Sequence, residues 1–383
     1  MRMYLKNNVW DEALKRIEWL FDEFPNIICN VSGGKDSTVI FHLCLQVARA
    51  KGRLPLKVRW LDQEAEWQAT VDQIKPLMYH PDVEAQWYQM PFKLFNAASS
   101  IDHWLHCWDP NEKEKWIHPQ DPISIKENIF NCDRFIALFK AIGEVNYPDT
   151  PTATLTGVRV EESPGRMKGL TYYKTYKWAT WGSIEDKSRR HYIFHPIYDW
   201  SYTDVWKAIL DNGWEYNAIY DAQYQYGVPI PQMRVSNVHH ETAVHSLFYL
   251  QELEPETYER LAQRIGGIDM AGKLGKADYW IKELPSMFND WREYRDYLLL
   301  HLVDNPEWRA AMAKVWDYHD RIIGEDMGKM KYQVHISQIL THDWEDVKGY
   351  NFITGPSVIS IIESRRIRRL PTRKRIADYG STK

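Results

Sequence analysis

Apolar and polar residues alternate along the first part of the chain with two different periods. Helical spacing predicts a helix over 10–22, which ends before Pro25. Short apolar runs rich in β-branched residues predict buried strands at 27–31, 56–61, 83–90 and 152–158. Between the strands, helical spacing predicts helices from residue 39, over 66–79 and over 131–143. This repeated β-α-β order predicts an α/β protein with a doubly wound, mostly parallel sheet.

Two later regions break this rhythm. Residues 101–122 combine tryptophans, histidines and prolines, which predicts an inserted loop or lid. Beyond residue 235 the chain is predicted to be mainly helical, with apolar spacing that recurs over 242–264, 287–303 and 306–323. We therefore expect a first domain over 1–235 and a helical second domain over 236–383.

The segment between the first strand and the following helix carries the clearest chemical signal. It reads Ser32-Gly33-Gly34-Lys35-Asp36-Ser37-Thr38. A helix that begins after a glycine-rich turn presents free amides and its positive dipole end to an anion. Gly33 and Gly34 permit close approach, Lys35 adds charge, the hydroxyls can donate to phosphate, and Asp36 can cap the helix or bind magnesium. The segment therefore predicts a nucleotide or pyrophosphate site.

This loop differs from the Walker phosphate loop. A Walker loop needs Gly-x-x-x-x-Gly-Lys followed directly by Ser or Thr. Here Cys29 stands at the position of the first glycine, and Asp36 follows the lysine. The nucleotide chemistry therefore belongs to another class of phosphate-binding protein.

Charged residues also follow two other predicted strands. The strand at 56–61 ends at Asp62, at the edge where ligands bind in an open α/β sheet. The strand at 152–158 is followed by two arginines and two glutamates, Arg159, Glu161, Glu162 and Arg166. The arginines can clamp phosphate or sulfate while the glutamates orient them, or the four residues can form a surface ion-pair cluster.

Composition and charge limit the class of protein. The chain has 383 residues, of which 44% are hydrophobic and 14% aromatic. It lacks an apolar run of the roughly 18 to 20 residues that a membrane span needs, and its N-terminus lacks the apolar stretch of a secretion signal, so we expect a cytoplasmic protein. The net charge is −4, although residues 364–383 carry eight Lys and Arg against one Asp. This basic tail can contact nucleic acid, an acidic protein partner or the acidic remainder of the chain, or it can simply be solvated.

The positions of the cysteines and histidines do not decide whether the chain has a metal site. The cysteines are widely spaced and form no C-x-x-C pair, which argues against a zinc ribbon and an iron–sulfur cluster. Part of a metal site can be built in the inserted segment from His103, His106, Cys107 and His118. A packed aromatic loop with locally hydrogen-bonded histidines explains the same residues. Capping or core hydrogen bonding is favoured over metal binding for His239, His240 and His245.

Three segments, in order, resemble the PP-loop superfamily and its phosphoadenosine phosphosulfate (PAPS) reductase-like family. The loop 32–37 resembles the signature Ser-Gly-Gly-x-Asp-Ser. The run 157–166 is similar to Gly-x-Arg-x-x-Glu-Ser-x-x-Arg. The third similarity, to Pro-Ile-x-x-Trp, Asp-Val-Trp, Tyr-Asn and Tyr-Asp, lies at Pro196–Trp200, Asp204–Trp206, Tyr216-Asn217 and Tyr220-Asp221. The layout of the whole chain also resembles bacterial and phage proteins of the immunoglobulin-binding regulator A type.

The resemblance implies an adenine nucleotide alpha-hydrolase-like fold and a set of site residues. It implies that the loop binds phosphates, that Asp62 lies beside the nucleotide, and that Arg159 and Arg166 hold the distal anionic end. Nucleotide-binding positions carried over by the motifs are Ser32, Gly33, Gly34, Lys35, Asp36, Ser37, Thr38, Asp62, Gly157 and Glu162. The implied ligands are ATP with Mg²⁺, or PAPS or its adenylyl relative APS as the bound nucleotide.

The chain departs from the reductases of this family in its cysteines. The thioredoxin-dependent enzymes carry a C-terminal Glu-Cys-Gly nucleophile, whereas this chain has no cysteine after Cys132. The expected function is therefore cleavage at the α-phosphate of an adenine nucleotide, with adenylyl transfer to an unidentified acceptor and release of pyrophosphate. Lys35, Asp36, Arg159 and Arg166 are the catalytic candidates. The alternatives are a reductase that uses Cys107 or Cys132 and a nucleotide-sensing regulator that binds a partner through its basic tail.

Overall fold

The computed structural model divides the described part of the chain into two compact units. It describes residues 6–96, 104–172, 174–230, 233–235, 247–266, 268, 283–303, 306–323 and 328–340. The first unit ends at Ile268, and the second comprises the described residues from 283 to 340. The first unit thus extends beyond the predicted boundary at residue 235, because two further helices contact it.

The first unit contains eight strands and nine helices within its described residues. Its strands are β1 Asn26–Asn30, β2 Leu56–Leu61, β3 Val83–Tyr88, β4 Phe92–Phe95, β5 Trp104–Cys107, β6 Thr152–Leu155, β7 Gly182–Asp186 and β8 His191–Phe194. Its helices are α1 Val9–Glu23, α2 Lys35–Ala50, α3 Gln68–Met78, α4 Phe135–Asn146, α5 Pro164–Thr171, α6 Tyr202–Asn212, α7 Ile219–Tyr226, α8 Leu247–Leu253 and α9 Pro255–Arg264. Short 3-10 helices occur at Pro110–Lys115 and Val160–Glu162.

Six of these strands form the central sheet in the order β3-β2-β1-β6-β8-β7. All neighbours are parallel except β7, which pairs antiparallel with β8 at one edge. The predicted α/β fold with a mostly parallel, doubly wound sheet is therefore confirmed. The edge strand β7 and the separate two-stranded β4–β5 sheet were not predicted from the sequence.

The strand order places two loops side by side. From β1 the chain moves outward through β2 to β3, and then returns to β6 on the other side of β1. The loops that follow β1 and β6 therefore leave the sheet next to each other at its carboxyl edge. Such a reversal of strand order is where open α/β sheets bind ligands. The two loops are the 32–38 loop and the 156–163 segment that carries Arg159.

Packing on one face of the sheet fixes the direction of α2. Successive strand residues point to opposite faces, so Ile27 and Cys29 of β1 share a face. Both are buried in one apolar cluster with Leu20 of α1 and with Val39 and Leu43 of α2. Burial of this α2 face holds the N-terminus of the helix at the carboxyl edge of the sheet. None of the described helices combines the length and the apolar content needed to cross a bilayer.

The second unit contains three described helices, α10 Trp291–Leu302, α11 Pro306–Ile323 and α12 Gly328–Leu340. The first two match the predicted helical segments, whereas α12 was not predicted.

The second unit also contains a buried polar network between its helices. In this network His319 Nδ1 of α11 lies 2.9 Å from His335 Nε2 of α12. Asp320 pairs with Arg295 at 3.2 Å and with Lys331 at 2.9 Å. Burial lowers the pKa of His319 to about 3, and burial together with His319 lowers the pKa of His335.

Candidate functional site

Two glycines shape the backbone of the 32–38 loop. Gly33 has a φ of +67°, and a Cβ there would lie 2.7 Å from Thr70 Cγ2. Gly34 is the N-cap residue of α2 and provides no side-chain cap. The first turn of α2 therefore keeps backbone amides directed at the loop opening, which is the arrangement that binds anions.

The hydroxyl groups of the loop stabilise the turn itself. Ser37 Oγ and Thr38 Oγ1 donate to the Gly34 carbonyl at 2.9 and 3.2 Å. The Ser32 amide donates to Ser37 Oγ at 3.2 Å. Ser37 and Thr38 are buried, with 6% and 1% of their surface exposed. The sequence suggested that these hydroxyls donate to phosphate, but their donors are directed at the Gly34 carbonyl.

The structure brings the predicted charged residues of the two loops together. Asp36 Oδ2 lies 3.0 Å from Lys35 Nζ, and Asp36 Oδ1 accepts a 2.5 Å hydrogen bond from Arg159 Nε. Arg159 Nη1 also donates to Glu161 Oε2 at 3.0 Å. The Arg159 side chain is only 5% exposed. Although 123 positions separate Asp36 from Arg159, both belong to one cluster at the carboxyl edge.

Gly157 permits this close approach of the two loops. A Cβ at this residue would lie 2.7 Å from both the carbonyl carbon and the carbonyl oxygen of Asp36. Real Cβ atoms essentially never approach backbone so closely. Only glycine therefore lets the chain after β6 pass the first turn of α2 at this distance.

Arg166 extends the cluster toward solvent. The Ser163 hydroxyl caps α5 by accepting from the Arg166 amide at 3.1 Å. The Arg166 guanidinium pairs with Glu162 and remains 46% exposed. Partial burial lowers the pKa of Arg166, Asp36 opposes that shift, and the nearby cations Arg159 and Arg234 add to it. Arg234 was not predicted from the sequence.

Asp62 is not available at the surface of the site. Its carboxylate accepts hydrogen bonds from Trp87 Nε1 at 3.0 Å, from Gln89 Nε2 at 2.8 Å and from the Glu64 amide at 3.0 Å. His118 Nε2 lies 3.3 Å from the same carboxylate, and Asp62 is fully buried. Direct contact with a nucleotide would break these hydrogen bonds. Asp62 is better explained as a buried anchor of the loop after β2.

The described part of the inserted segment supports that loop through hydrogen bonds. Trp108 Nε1 donates to the Asp62 carbonyl at 2.9 Å, the Trp108 amide to Glu64 Oε2 at 2.6 Å, and Cys107 Sγ to the Gln63 carbonyl at 3.2 Å. Arg264 of α9 then pairs with Glu64 at 2.7 Å. Within the part of the chain that the structure describes, no group of three or more His, Cys, Asp or Glu side chains could hold a metal ion. The candidates His103, His239, His240 and His245 lie outside the described residues, as does the 364–383 tail.

The magnesium role expected for Asp36 does not fit the cluster. Both of its carboxylate oxygens are occupied, one by Lys35 and one by Arg159. Magnesium is usually bound through one or two carboxylates together with substrate phosphates. As placed, Asp36 is a bridge between two cations and not a free metal ligand.

Side chains just before and within α7 form hydrogen bonds that support the backbone of the 32–38 loop. Asn217 Nδ2 donates to the Gly33 carbonyl at 3.2 Å and to Thr70 Oγ1 at 3.0 Å. The Tyr220 hydroxyl accepts from the Lys35 amide at 3.3 Å, and its ring lies 5.3 Å from the Lys35 ammonium. These residues belong to the Tyr-Asn and Tyr-Asp matches, but their contact with the loop could not be inferred from the sequence.

His195 is a further residue near the cluster that the sequence did not single out as a candidate. Its Nδ1 lies 2.7 Å from Thr156 Oγ1 on the loop after β6. Burial, and secondarily the charge of Arg166, lowers the pKa of His195 to about 4. The imidazole is therefore neutral at pH 7 and adds no charge to the cluster.

The charges of the cluster favour an anionic ligand. Three cations, Lys35, Arg159 and Arg166, pair with three carboxylates, Asp36, Glu161 and Glu162, and the charge of a fourth cation, Arg234, reaches Arg166. The amides at the first turn of α2 add further positive potential through the helix dipole. A ligand with several negative charges, such as a polyphosphate, matches this excess.

Two family models and one curated relative match this chain. The family model described as the phosphoadenosine phosphosulfate reductase domain matches residues 26–268, and a domain of unknown function (DUF3440) matches residues 227–376. The uncharacterized protein YbdN of Escherichia coli (strain K12) is 27% identical over 309 residues, which cover 76% of this chain and 75% of YbdN.

Two solved structures show a partial likeness. The phosphoadenylyl-sulfate reductase of Candida auris, in a phosphate complex, is 13% identical with a TM-score of 0.36, and the match covers 63% of this chain and 98% of that one. The FMN adenylyltransferase of Candida glabrata, in complex with FMN and an ATP analog, is 14% identical with a TM-score of 0.34, and the match covers 57% of this chain and 64% of that one.

Proposed function

Because the chain belongs to the phosphoadenosine phosphosulfate reductase domain family, we propose that it is a PP-loop enzyme that binds ATP or a related adenine nucleotide. In this proposal the enzyme cleaves the nucleotide at the α-phosphate, transfers the adenylyl group to an acceptor and releases pyrophosphate. The acceptor is a molecule that binds beside Arg159 and Arg166.

The pairing of Asp36 with Arg159 is the observation that carries the proposal. This 2.5 Å contact joins the uncapped first turn of α2 to the loop after β6. The two elements meet where the strand order reverses, so a ligand at this point contacts both. A phosphate chain laid across the junction would meet α2 amides on one side and arginines on the other.

The proposed roles of the residues follow from where negative charge develops. When the bond to the α-phosphorus breaks, charge accumulates on the departing pyrophosphate. Lys35 and the amides of α2 stabilise that charge, and fixed donors of this kind need no reorganisation during the reaction. Arg159 is held rigidly by Asp36 and Glu161, so it can position the phosphates. Asp36 holds Lys35 and Arg159 in place.

Product analysis with ATP labelled at the α-phosphate tests the reaction class. The full-length protein is incubated with this nucleotide, Mg²⁺ in the buffer and small-molecule fractions of a cell extract as the source of acceptor. The expected products are AMP or an adenylylated acceptor together with pyrophosphate. Formation of ADP and inorganic phosphate would refute the proposal.

Calorimetric titration with ATP tests the site separately from the acceptor. Lys35→Ala is expected to weaken ATP binding roughly 10- to 150-fold, since a hydrogen bond to a charged group contributes about 1.5–3 kcal/mol. Lys51→Ala is the matched control, because Lys51 lies beyond the other end of α2 and pairs with Asp22. Equal affinity of both variants for ATP would contradict the assignment of the loop.

The reductase alternative now depends on one described cysteine. Cys29, Cys44 and Cys107 are buried, whereas Cys132 is partly exposed. Burial, with the charge of Glu64, raises the pKa of Cys107 well above its usual value, which disfavours the thiolate that a reductase needs. Sulfite release from PAPS that is lost in Cys132→Ser would favour this alternative. Binding of nucleic acid or protein through the basic tail remains a prediction from the sequence.

A further inference from the structure

Arg234 lies beside the candidate site, although it belongs to none of the motifs that the sequence indicated. The residue is exposed. Among the described residues, no carboxylate forms a salt bridge with its guanidinium within 4.0 Å. Its charge nevertheless reaches Arg166, whose pKa it helps to lower. An exposed arginine that has no acidic partner among the described residues and lies close to another arginine is suited to binding an anion.

The backbone of Arg234 is fixed against the phosphate loop. Gln223 Nε2 donates to the Arg234 carbonyl at 2.7 Å, and the Arg234 amide donates to Gln223 Oε1 at 3.1 Å. The Gln223 side chain is fully buried. The next residue, Val235, places Cγ2 only 3.3 Å from where a Cβ of Gly34 would lie. Arg234 is therefore presented next to the first turn of α2 by a buried amide.

The α7 region supports both the 32–38 loop and the segment with Arg234. Asn217 lies just before α7, Tyr220 and Gln223 lie within it, and the three residues follow one another at intervals of three. Asn217 and Tyr220 hold the backbone of the phosphate loop, whereas Gln223 holds the segment with Arg234. The exposed fractions of the three residues are 0%, 4% and 0%, so these contacts are shielded from water.

We propose that Arg234 is an anion-contacting residue of the nucleotide site and that Gln223 is the residue that positions it. The inference rests on the proposed function, and it assigns Arg234 to the phosphates that leave as pyrophosphate. The adenylyl part carries a single phosphate, whereas the leaving end carries most of the negative charge. An arginine at the solvent side of the cluster gains most from contact with that end.

Titration calorimetry with ATP, pyrophosphate and AMP tests the assignment of Arg234. Arg234→Gln is expected to weaken the binding of ATP and of pyrophosphate roughly tenfold or more. Its affinity for AMP is expected to stay within about twofold of wild type. Arg49→Gln is the matched control. It removes the same charge from an exposed arginine in the last turn of α2, at the end away from the site.

The outcomes separate this inference from the proposed function. If wild type binds neither ATP nor pyrophosphate, the proposed function itself fails. If wild type binds both and Arg234→Gln binds them equally well, only the assignment of Arg234 fails. Equal losses for ATP and AMP would also overturn it, since Arg234 would then not distinguish the leaving phosphates.

A double-mutant cycle tests the positioning role of Gln223. Gln223→Met removes both hydrogen bonds and keeps an unbranched side chain of similar size. It is expected to weaken ATP binding in the wild-type background and to have no further effect in Arg234→Gln, because it acts through that residue. Losses that add independently would overturn the positioning role. Arg234→Gln alone decides the ligand contact if Gln223→Met fails to fold.

Discussion

Replacing Gly157 by alanine tests whether close approach of the two loops is needed for binding. The added Cβ would lie 2.7 Å from the carbonyl carbon and oxygen of Asp36, whereas ordinary van der Waals contact begins at 3.4 Å. Neither backbone atom can rotate away as a flexible side chain could. Forced overpacking of this kind costs about 1–3 kcal/mol. If that cost separates the loops, affinity for ATP falls roughly 5- to 150-fold.

Gly169→Ala is the matched control for this prediction. Gly169 lies within α5, and a Cβ there would meet no described atom within 4 Å. Alanine in a helix is favoured over glycine by roughly 0.5–1 kcal/mol, so this variant should be slightly more stable and bind ATP normally. Calorimetry gives the affinities, and urea unfolding gives the free energies of unfolding. Wild-type affinity of Gly157→Ala for ATP would refute the reasoning.

Three further predictions concern buried groups. Arg264→Met should lower the free energy of unfolding, measured in urea, by about 3–5 kcal/mol, because it leaves the buried Glu64 carboxylate without its cation. Adding Glu64→Gln should restore part of this loss. Hydrogen exchange should show the helical second unit losing stability as pH falls from about 6.5 toward 3, since the folded pKa of His319 lies below its unfolded value; His319→Gln should weaken that dependence. In the native protein, iodoacetamide should modify Cys132 well before the other described cysteines, and equal rates measured by mass spectrometry would contradict their burial.

Much of the fold followed from local patterns. The strand predicted at 56–61 has the observed bounds of β2, and the helix predicted over 10–22 differs from α1 by one residue at each end. Alternation and helical spacing depend only on neighbours in the chain, so they are legible in one sequence. The helix after the phosphate loop begins at Lys35 and not at residue 39, because its first turn carries polar residues that apolar spacing does not detect.

Parts of the candidate site could also be predicted, because they too depend only on neighbours in the chain. Gly33, Gly34 and Lys35 act within one turn of chain, so their spacing already indicated an anion site. Arg159 was predicted separately, from its position after a strand. The sequence did not show that Asp36 holds this arginine, since that contact depends on β6 lying next to β1.

The sequence by itself determined the strand, loop and helix of the proposed phosphate site, together with the α/β class of the sheet. Only the tertiary structure decided that Asp62 is buried, that Asn217 supports a loop 184 positions earlier in the chain, and that the segment with Arg234 packs beside Gly34. The physical reason is that such contacts form between segments whose proximity is set by strand order and helix packing. Side chains of the same type elsewhere in the chain have the same local sequence pattern. Burial then separates a structural side chain such as Asp62 from one that can contact a bound molecule.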